Sequence, residues 1–240
     1  YNESPRLARG FFFPPWPIIH RRSFLDPRRL LQPLQELLDQ PDQALSNQAA
    51  PVLLRYARRA MATNFEVLLP CGLTSAHQWA DAALNEIDRL ESQLSVYRPD
   101  SEVSQLNARA AQEPVAVSAN LFQLLRQARQ VWQATGGAFD IAEGALIKCW
   151  GFFRRQGQMP EAAALAQAQD NSGLHHLELD EAQATVRFRR PGLEINLGSI
   201  GKGYALDQAL QLLRSQGFSG SALLHGGHSS VLARGHETPA

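Results

Sequence analysis

The sequence predicts a mixed α/β, or α+β, fold in which helices cover a largely antiparallel sheet. Three long stretches carry apolar residues at helical spacing, several short runs read as strands, and the two kinds alternate without a strict βαβ repeat. An apolar fraction of 44% with 19% charged residues over 240 residues suits one soluble globular domain of ordinary to large size. No internal repeat is visible.

Residues 1–50 are rich in proline and carry more arginine than acid, with one short amphipathic stretch around Leu30, Leu34, Leu37 and Leu38. They read as a partly flexible extension, followed by the domain proper over 51–240. From Val52 an apolar, period-two pattern runs through Phe65, Val67 and Leu69 until Pro70 and Gly72 stop it, which predicts a first hairpin. Ala83, Ile87, Leu90 and Leu94 then lie on one face of a long helix expected to end near Tyr97, ahead of Pro99. Ser118 suits the N-cap of a second helix carrying Leu121, Leu124, Leu125, Ala128 and Val131, with Gly136 in its C-terminal turn. Strands are expected at 176–179, 185–188 and 193–196, the first two joined by a polar turn around Glu181. A third helix has Leu206, Ala209, Leu210 and Leu213 on one face and stops at Gly217, after which 222–225 reads as a buried strand.

Twenty-three basic residues balance 23 acidic ones, so no global electrostatic case exists for nucleic acid or an anionic membrane as the main partner. Cys71 and Cys149 could form one disulfide at most, and neither has neighbours at metal-ligand spacing. No apolar run reaches the length of a membrane span. The chain starts at Tyr1 without a methionine, which leaves an upstream targeting signal open, and 235–240 follows an apolar, strand-like run with no closing element. A fragment lacking its C-terminal part is the expectation.

Three segments carry candidate chemistry. Gly198, Gly201 and Gly203 surround Lys202 where a strand should give way to a helix, and glycine there lets backbone amides approach a phosphate at the positive end of the helix dipole. A pyrophosphate would suit this place; a turn required only by packing would contain the same glycines. A P-loop fails twice, at Asn196 and Gly203, and the order G-x-x-G-x-G is not that of a dinucleotide fingerprint. In Thr135-Gly136-Gly137-Ala138-Phe139-Asp140, two glycines end a helix and an aromatic then sits beside a carboxylate. With Trp150-Gly151-Phe152 this offers planes for a ring system and an acceptor, Asp140, for a ring N–H. A helix cap followed by core aromatics is the plainer alternative. His225-Gly226-Gly227-His228 lacks the acidic or cysteine partners of a metal site and reads as a turn that approaches a ligand through its backbone. His175, His176 and His236 read as ordinary surface or strand residues.

Taken in order, these segments resemble the FAD:protein FMN transferase family, also called the ApbE family. The resemblance runs through Met61-Ala62-Thr63 with Phe65-Glu66-Val67, Leu94 to Tyr97, Ser101-Glu102-Val103-Ser104 with Leu106-Asn107, Thr135 to Ile141, Trp150-Gly151-Phe152, Gly198 to Asp207 and Gly226-Gly227. It implies a T-fold-related domain that binds FAD as substrate together with Mg²⁺ and transfers FMN to a threonine of an acceptor flavoprotein, releasing AMP. Some relatives instead hydrolyse FAD to FMN and AMP, and a non-catalytic flavin-binding module is a third reading. The resemblance places Met61 and Tyr97 against the flavin, Ala138, Phe139 and Asp140 along its pocket, Lys202 against the FAD as the catalytic candidate, and Ser199 among the Mg²⁺ ligands. Asn196 stands where the family usually has aspartate, with a flavin contact implied there. Glu143-Gly144-Ala145-Leu146 replaces the family's usual run, and His225 and His228 bracket the Gly-Gly pair that it flanks with asparagine. The family's Asp-rich metal motif lies downstream of that pair, beyond Ala240. Family members are commonly lipoproteins outside the inner membrane, yet neither cysteine lies in a lipobox, so localisation stays open.

Overall fold

Phe65, Val67 and Leu69 alternate with Glu66, Leu68 and Pro70 along an eight-residue strand, and only the first set is fully buried. That alternation is what a strand covered on one face requires. The computed structural model describes residues 52–227 and 229–235; the extension read over 1–50, with its stretch around Leu30, and the histidines at 228 and 236 lie outside the described residues. Strand β1 (Leu53–Ala60) pairs antiparallel with β2 (Thr63–Pro70), forming the expected hairpin, and β2 pairs with β6 (Ala222–Gly226), which pairs with β7 (Ser230–Arg234). The sheet order is therefore β1-β2-β6-β7.

Helix α1 (Ala76–Leu94) buries Ala80, Ala83, Leu84, Ile87, Leu90 and Leu94, and α6 (Gly201–Ser215) buries Tyr204, Ala205, Leu206, Ala209, Leu210 and Leu213. These apolar stripes join the inner face of the sheet in one core. Each fully buried leucine or isoleucine there is worth roughly 1.5–3 kcal/mol relative to exposure. Helix α2 (Glu102–Arg109) is capped by Ser101, whose hydroxyl accepts from Ser104 N–H at 3.0 Å, and α3 (Ala119–Ala134) by Ser118, as its sequence indicates. A second antiparallel sheet, ordered β3-β5-β4, comprises β3 (Val115–Ala116), β4 (Leu177–Asp180) and β5 (Thr185–Phe188). Two short helices, α4 (Gly144–Cys149) and α5 (Ala162–Asp170), complete the described elements. The fold is thus α+β with only antiparallel pairings among the described strands, divided between two sheets rather than one.

Four local expectations are corrected. The segment 193–196 is not a strand, although Leu193 and Ile195 are buried as predicted. Its backbone is satisfied piecemeal: Ile195 exchanges two hydrogen bonds with the Asn107 side chain, at 2.9 and 3.0 Å, and Asn196 N–H donates to Ile141 O at 2.7 Å. An extended, apolar chain can meet its hydrogen-bond needs without a ladder. Helix α1 ends at Leu94, because Ser95 turns to an extended conformation before Tyr97 is reached. Val131 is 40% exposed, while its neighbour Trp132 packs on the core instead. His176 belongs to a 3₁₀ turn preceding β4 rather than to the strand.

Candidate functional site

The hairpin between β1 and β2 closes through only two residues, Met61 and Ala62, since Ala60 pairs with Thr63. A two-residue turn that follows the twist of its strands needs positive φ at both positions, and Met61 (φ 48°) and Ala62 (φ 62°) adopt it without a glycine. Glu91, on α1, accepts the Met61 N–H at 2.7 Å and holds the strained turn in place. Beside it, α1 stops and Tyr97 and Arg98 emerge from the following turn. From the opposite side comes 196–202, in which the Asn196 side chain accepts from Gly198 N–H at 2.8 Å and Gly201 opens α6. The first amides of that helix lack carbonyl partners within it and give its end positive character.

These elements enclose a half-open cavity of about 420 Å³. Met61, Tyr97, Asn196 and Lys202, expected to share a site from positions far apart in sequence, all line it. Three further lining residues were not anticipated: Glu91, Arg98 and Arg155. Glu91 left a trace in the sequence, as a carboxylate beside the buried stripe of Ile87, Leu90 and Leu94 that requires a polar partner. Arg98 and Arg155 left none, being two arginines among many. The lining joins three cations, Arg98, Arg155 and Lys202, to one carboxylate that is already hydrogen-bonded. Such a pocket suits an anionic ligand.

Ala138, Phe139 and Asp140 are not among the lining residues of this cavity. Gly136 and Gly137, at φ 60° and 86°, end α3, with Gly137 N–H donating to Trp132 O at 2.8 Å, so the capping role of this segment is realised. Ala138 is exposed and Phe139 packs partly against the core. The Asp140 carboxylate accepts from Ala142 N–H at 2.7 Å and Leu174 N–H at 2.9 Å, tying two loops together. Burial, and then the negative charge of Asp140, raises the Glu143 carboxyl above its ordinary value. The backbone of 144–146 takes a path set by Gly144, where any Cβ would fall 2.6 Å from that of Glu194.

The Gly226-Gly227 turn is explained by packing: a Cβ at Gly226 would lie 2.7 Å from the Phe65 ring, and one at Gly227 would lie 2.5 Å from the Thr63 hydroxyl. His225 is not among the lining residues of the cavity, and its Nε2 lies 3.1 Å from Glu66. Ser199 is exposed on the turn before α6. No cluster of three or more His, Cys, Asp or Glu side chains able to hold a metal occurs among the described residues. With one hydroxyl and no carboxylate set to accompany it, the described residues do not make a magnesium site.

Fold and cavity together define a mixed α/β domain with a cation-rimmed pocket where a turn enters a helix, adapted to an anionic ligand with an apolar part. The chain belongs to the ApbE family, whose model matches residues 61–240. It is similar to an FAD:protein FMN transferase of Klebsiella pneumoniae, 33% identical over 146 residues that span 61% of this chain and 46% of the relative. A protein of the same description from Treponema pallidum is 33% identical over 160 residues, spanning 63% of this chain and 44% of that one. Among solved structures, the ApbE protein of Thermotoga maritima superposes with a TM-score of 0.71 at 25% identity, covering 78% of this chain and 60% of its own. The flavin transferase ApbE of Vibrio cholerae gives 0.66 at 25% identity, covering 73% and 57%. The chain thus spans about half the length of the curated relatives it matches.

Proposed function

We propose that the protein transfers FMN from FAD to a threonine hydroxyl of an acceptor protein, releasing AMP, with residues 51–240 as the FAD-binding domain and 1–50 as an extension. The observation that carries this reading is the convergence of Met61, Tyr97, Asn196 and Lys202 on one cation-rimmed cavity, in a chain whose relatives are described as FAD:protein FMN transferases. In the reaction a bond forms between the threonine oxygen and the FMN phosphorus while the phosphoanhydride bond breaks. AMP leaves with the bridging oxygen, and the hydroxyl proton is released. Negative charge grows on the leaving phosphate, and a fixed cation in a partly desolvated pocket offsets it without reorganisation. Lys202, in the first turn of α6, has the charge and the place for this. Met61 and Tyr97 offer apolar and aromatic surface to the flavin, and Asn196 presents an amide, its oxygen engaged with Gly198 N–H. Ala138, Phe139 and Asp140, outside the cavity lining, contribute through the loops that the Asp140 carboxylate ties together.

The proposal includes the family's dependence on Mg²⁺, with Ser199 as one ligand. Because the described residues offer no carboxylate set for the ion, no step is drawn through it. The test is to incubate the protein with FAD, Mg²⁺ and a flavodoxin-like or membrane-redox acceptor, following AMP release and fluorescent flavin retained on the denatured acceptor. Failure of both overturns the transferase reading. Free FMN formed without acceptor identifies an FAD pyrophosphatase, and flavin binding without AMP release a non-catalytic module. EDTA abolishes turnover if the metal requirement holds.

A further inference from the structure

The loop following α4 opens with Trp150-Gly151-Phe152, yet it is Arg155, which no motif singled out, that lines the pocket. It is compact and pinned at its base: Gln158 N–H donates to Trp150 O at 2.9 Å, the Gln158 side chain to Cys149 O at 3.2 Å, and Gln156 N–H to Gly151 O at 3.3 Å. Within it the Phe153 ring stacks on Tyr97, with centroids 4.7 Å apart and planes at 25°. Lys148, paired with Glu194 at 2.6 Å, places its ammonium 5.3 Å from the centroid of the same Phe153 ring. Arg155 reaches the cavity beside Arg98 and Lys202, its backbone in the left-handed region at φ 56°. No carboxylate pairs with Arg155 or Lys202 among the described residues, whereas most other arginines of the domain have one.

We infer that this loop is a specificity element of the pocket: Arg155 holds the diphosphate bridge of a dinucleotide together with Lys202, and Phe153 positions Tyr97 by covering one of its faces. The inference rests on the proposal that the pocket takes FAD. A planar guanidinium forms paired hydrogen bonds to phosphate oxygens. A tyrosine packed on one face offers only the other to an incoming ring. Arg155 therefore selects for FAD over riboflavin, which has no phosphate, while Phe153 acts on every flavin alike.

Flavin fluorescence titrations of the wild type, Arg155→Gln, Arg155→Lys and Phe153→Leu with FAD and with riboflavin test this. Arg155→Gln should weaken FAD binding by about tenfold or more, the scale of a charge-assisted hydrogen bond, and leave riboflavin binding unchanged. Arg155→Lys should recover part of the loss. Phe153→Leu should weaken both ligands by a similar factor, roughly threefold, as expected for one lost aromatic pair. Added salt should weaken FAD but not riboflavin binding to the wild type, a measurement that needs no variant to fold. Equal losses of FAD and riboflavin in Arg155→Gln, or unchanged FAD affinity, overturn the inference while leaving the FAD pocket standing. A wild type that binds neither flavin overturns the FAD reading and the inference with it.

Discussion

Ala62 and Asp140 show how single residues decide this site. Ala62 occupies a left-handed position in the turn that presents Met61, a conformation costing a non-glycine residue roughly 1–2 kcal/mol. Replacing it by glycine relieves that strain but adds about 0.4–1 kcal/mol of unfolded-state entropy. Ala62→Gly should therefore raise stability by up to about 1 kcal/mol, read as a higher urea midpoint; a lower midpoint would show that the turn is not strained. Asp140 was expected to face a ring system, yet both of its oxygens accept backbone N–H groups. Asp140→Asn keeps one acceptor and turns an amide towards the other N–H, so it should cost roughly 1.5–3 kcal/mol. FAD affinity should hardly change once the variant is folded. A large affinity loss with unchanged stability would return Asp140 to the flavin.

At the level of elements, the pocket depends on a segment that is neither helix nor strand. The chain over 193–197 leads into α6 and carries Asn196, and its position is set by Asn107 on α2, which satisfies both backbone groups of the fully buried Ile195. Asn107→Ala would leave an N–H and a C=O buried without partners, at roughly 2–4 kcal/mol. The expected result is a lower urea midpoint together with weaker FAD binding, because Asn196 and Lys202 lose their support. Unchanged stability would mean that water replaces the amide. Helices α1, α3 and α6 were legible because each has enough turns to expose a period of 3.6 in its buried residues. Helices α2, α4 and α5, at six to nine residues, are too short to show it. The 193–196 segment has the composition of a strand, and only its neighbours decide that it pairs with a side chain.

For the whole molecule, stability is a function of pH as well as of packing. Burial, then the nearby positive charges of His175, Arg190 and Arg189, lower the pKa of His176, with Asp170 opposing them. Its native value lies below the unfolded one near 6.5, so below that pH the unfolded chain binds more protons than the native one. Stability should consequently rise with pH up to about 6.5 and be lost as pH falls through the lowered native value. The effect is small at so accessible a site. Urea midpoints measured from pH 5 to 8 should show a flatter acid limb in His176→Gln than in the wild type, and identical limbs would remove His176 as a contributor.

The sequence by itself determined the class of fold, the hairpin, the three long helices and the family, because periodicity, caps and ordered motifs are properties of short stretches read one at a time. It also named four of the residues that share the cavity, through resemblance rather than through any visible proximity. Tertiary structure alone decided that Ala138, Phe139 and Asp140 stand outside the cavity lining and that Glu91, Arg98 and Arg155 belong to it. The physical reason is that charge and hydrogen-bonding partners are set by distance in space. An exposed arginine in a loop looks the same in sequence whether it meets solvent or completes a binding site, and only the folding of the Trp150–Gln158 loop against Tyr97 distinguishes the two.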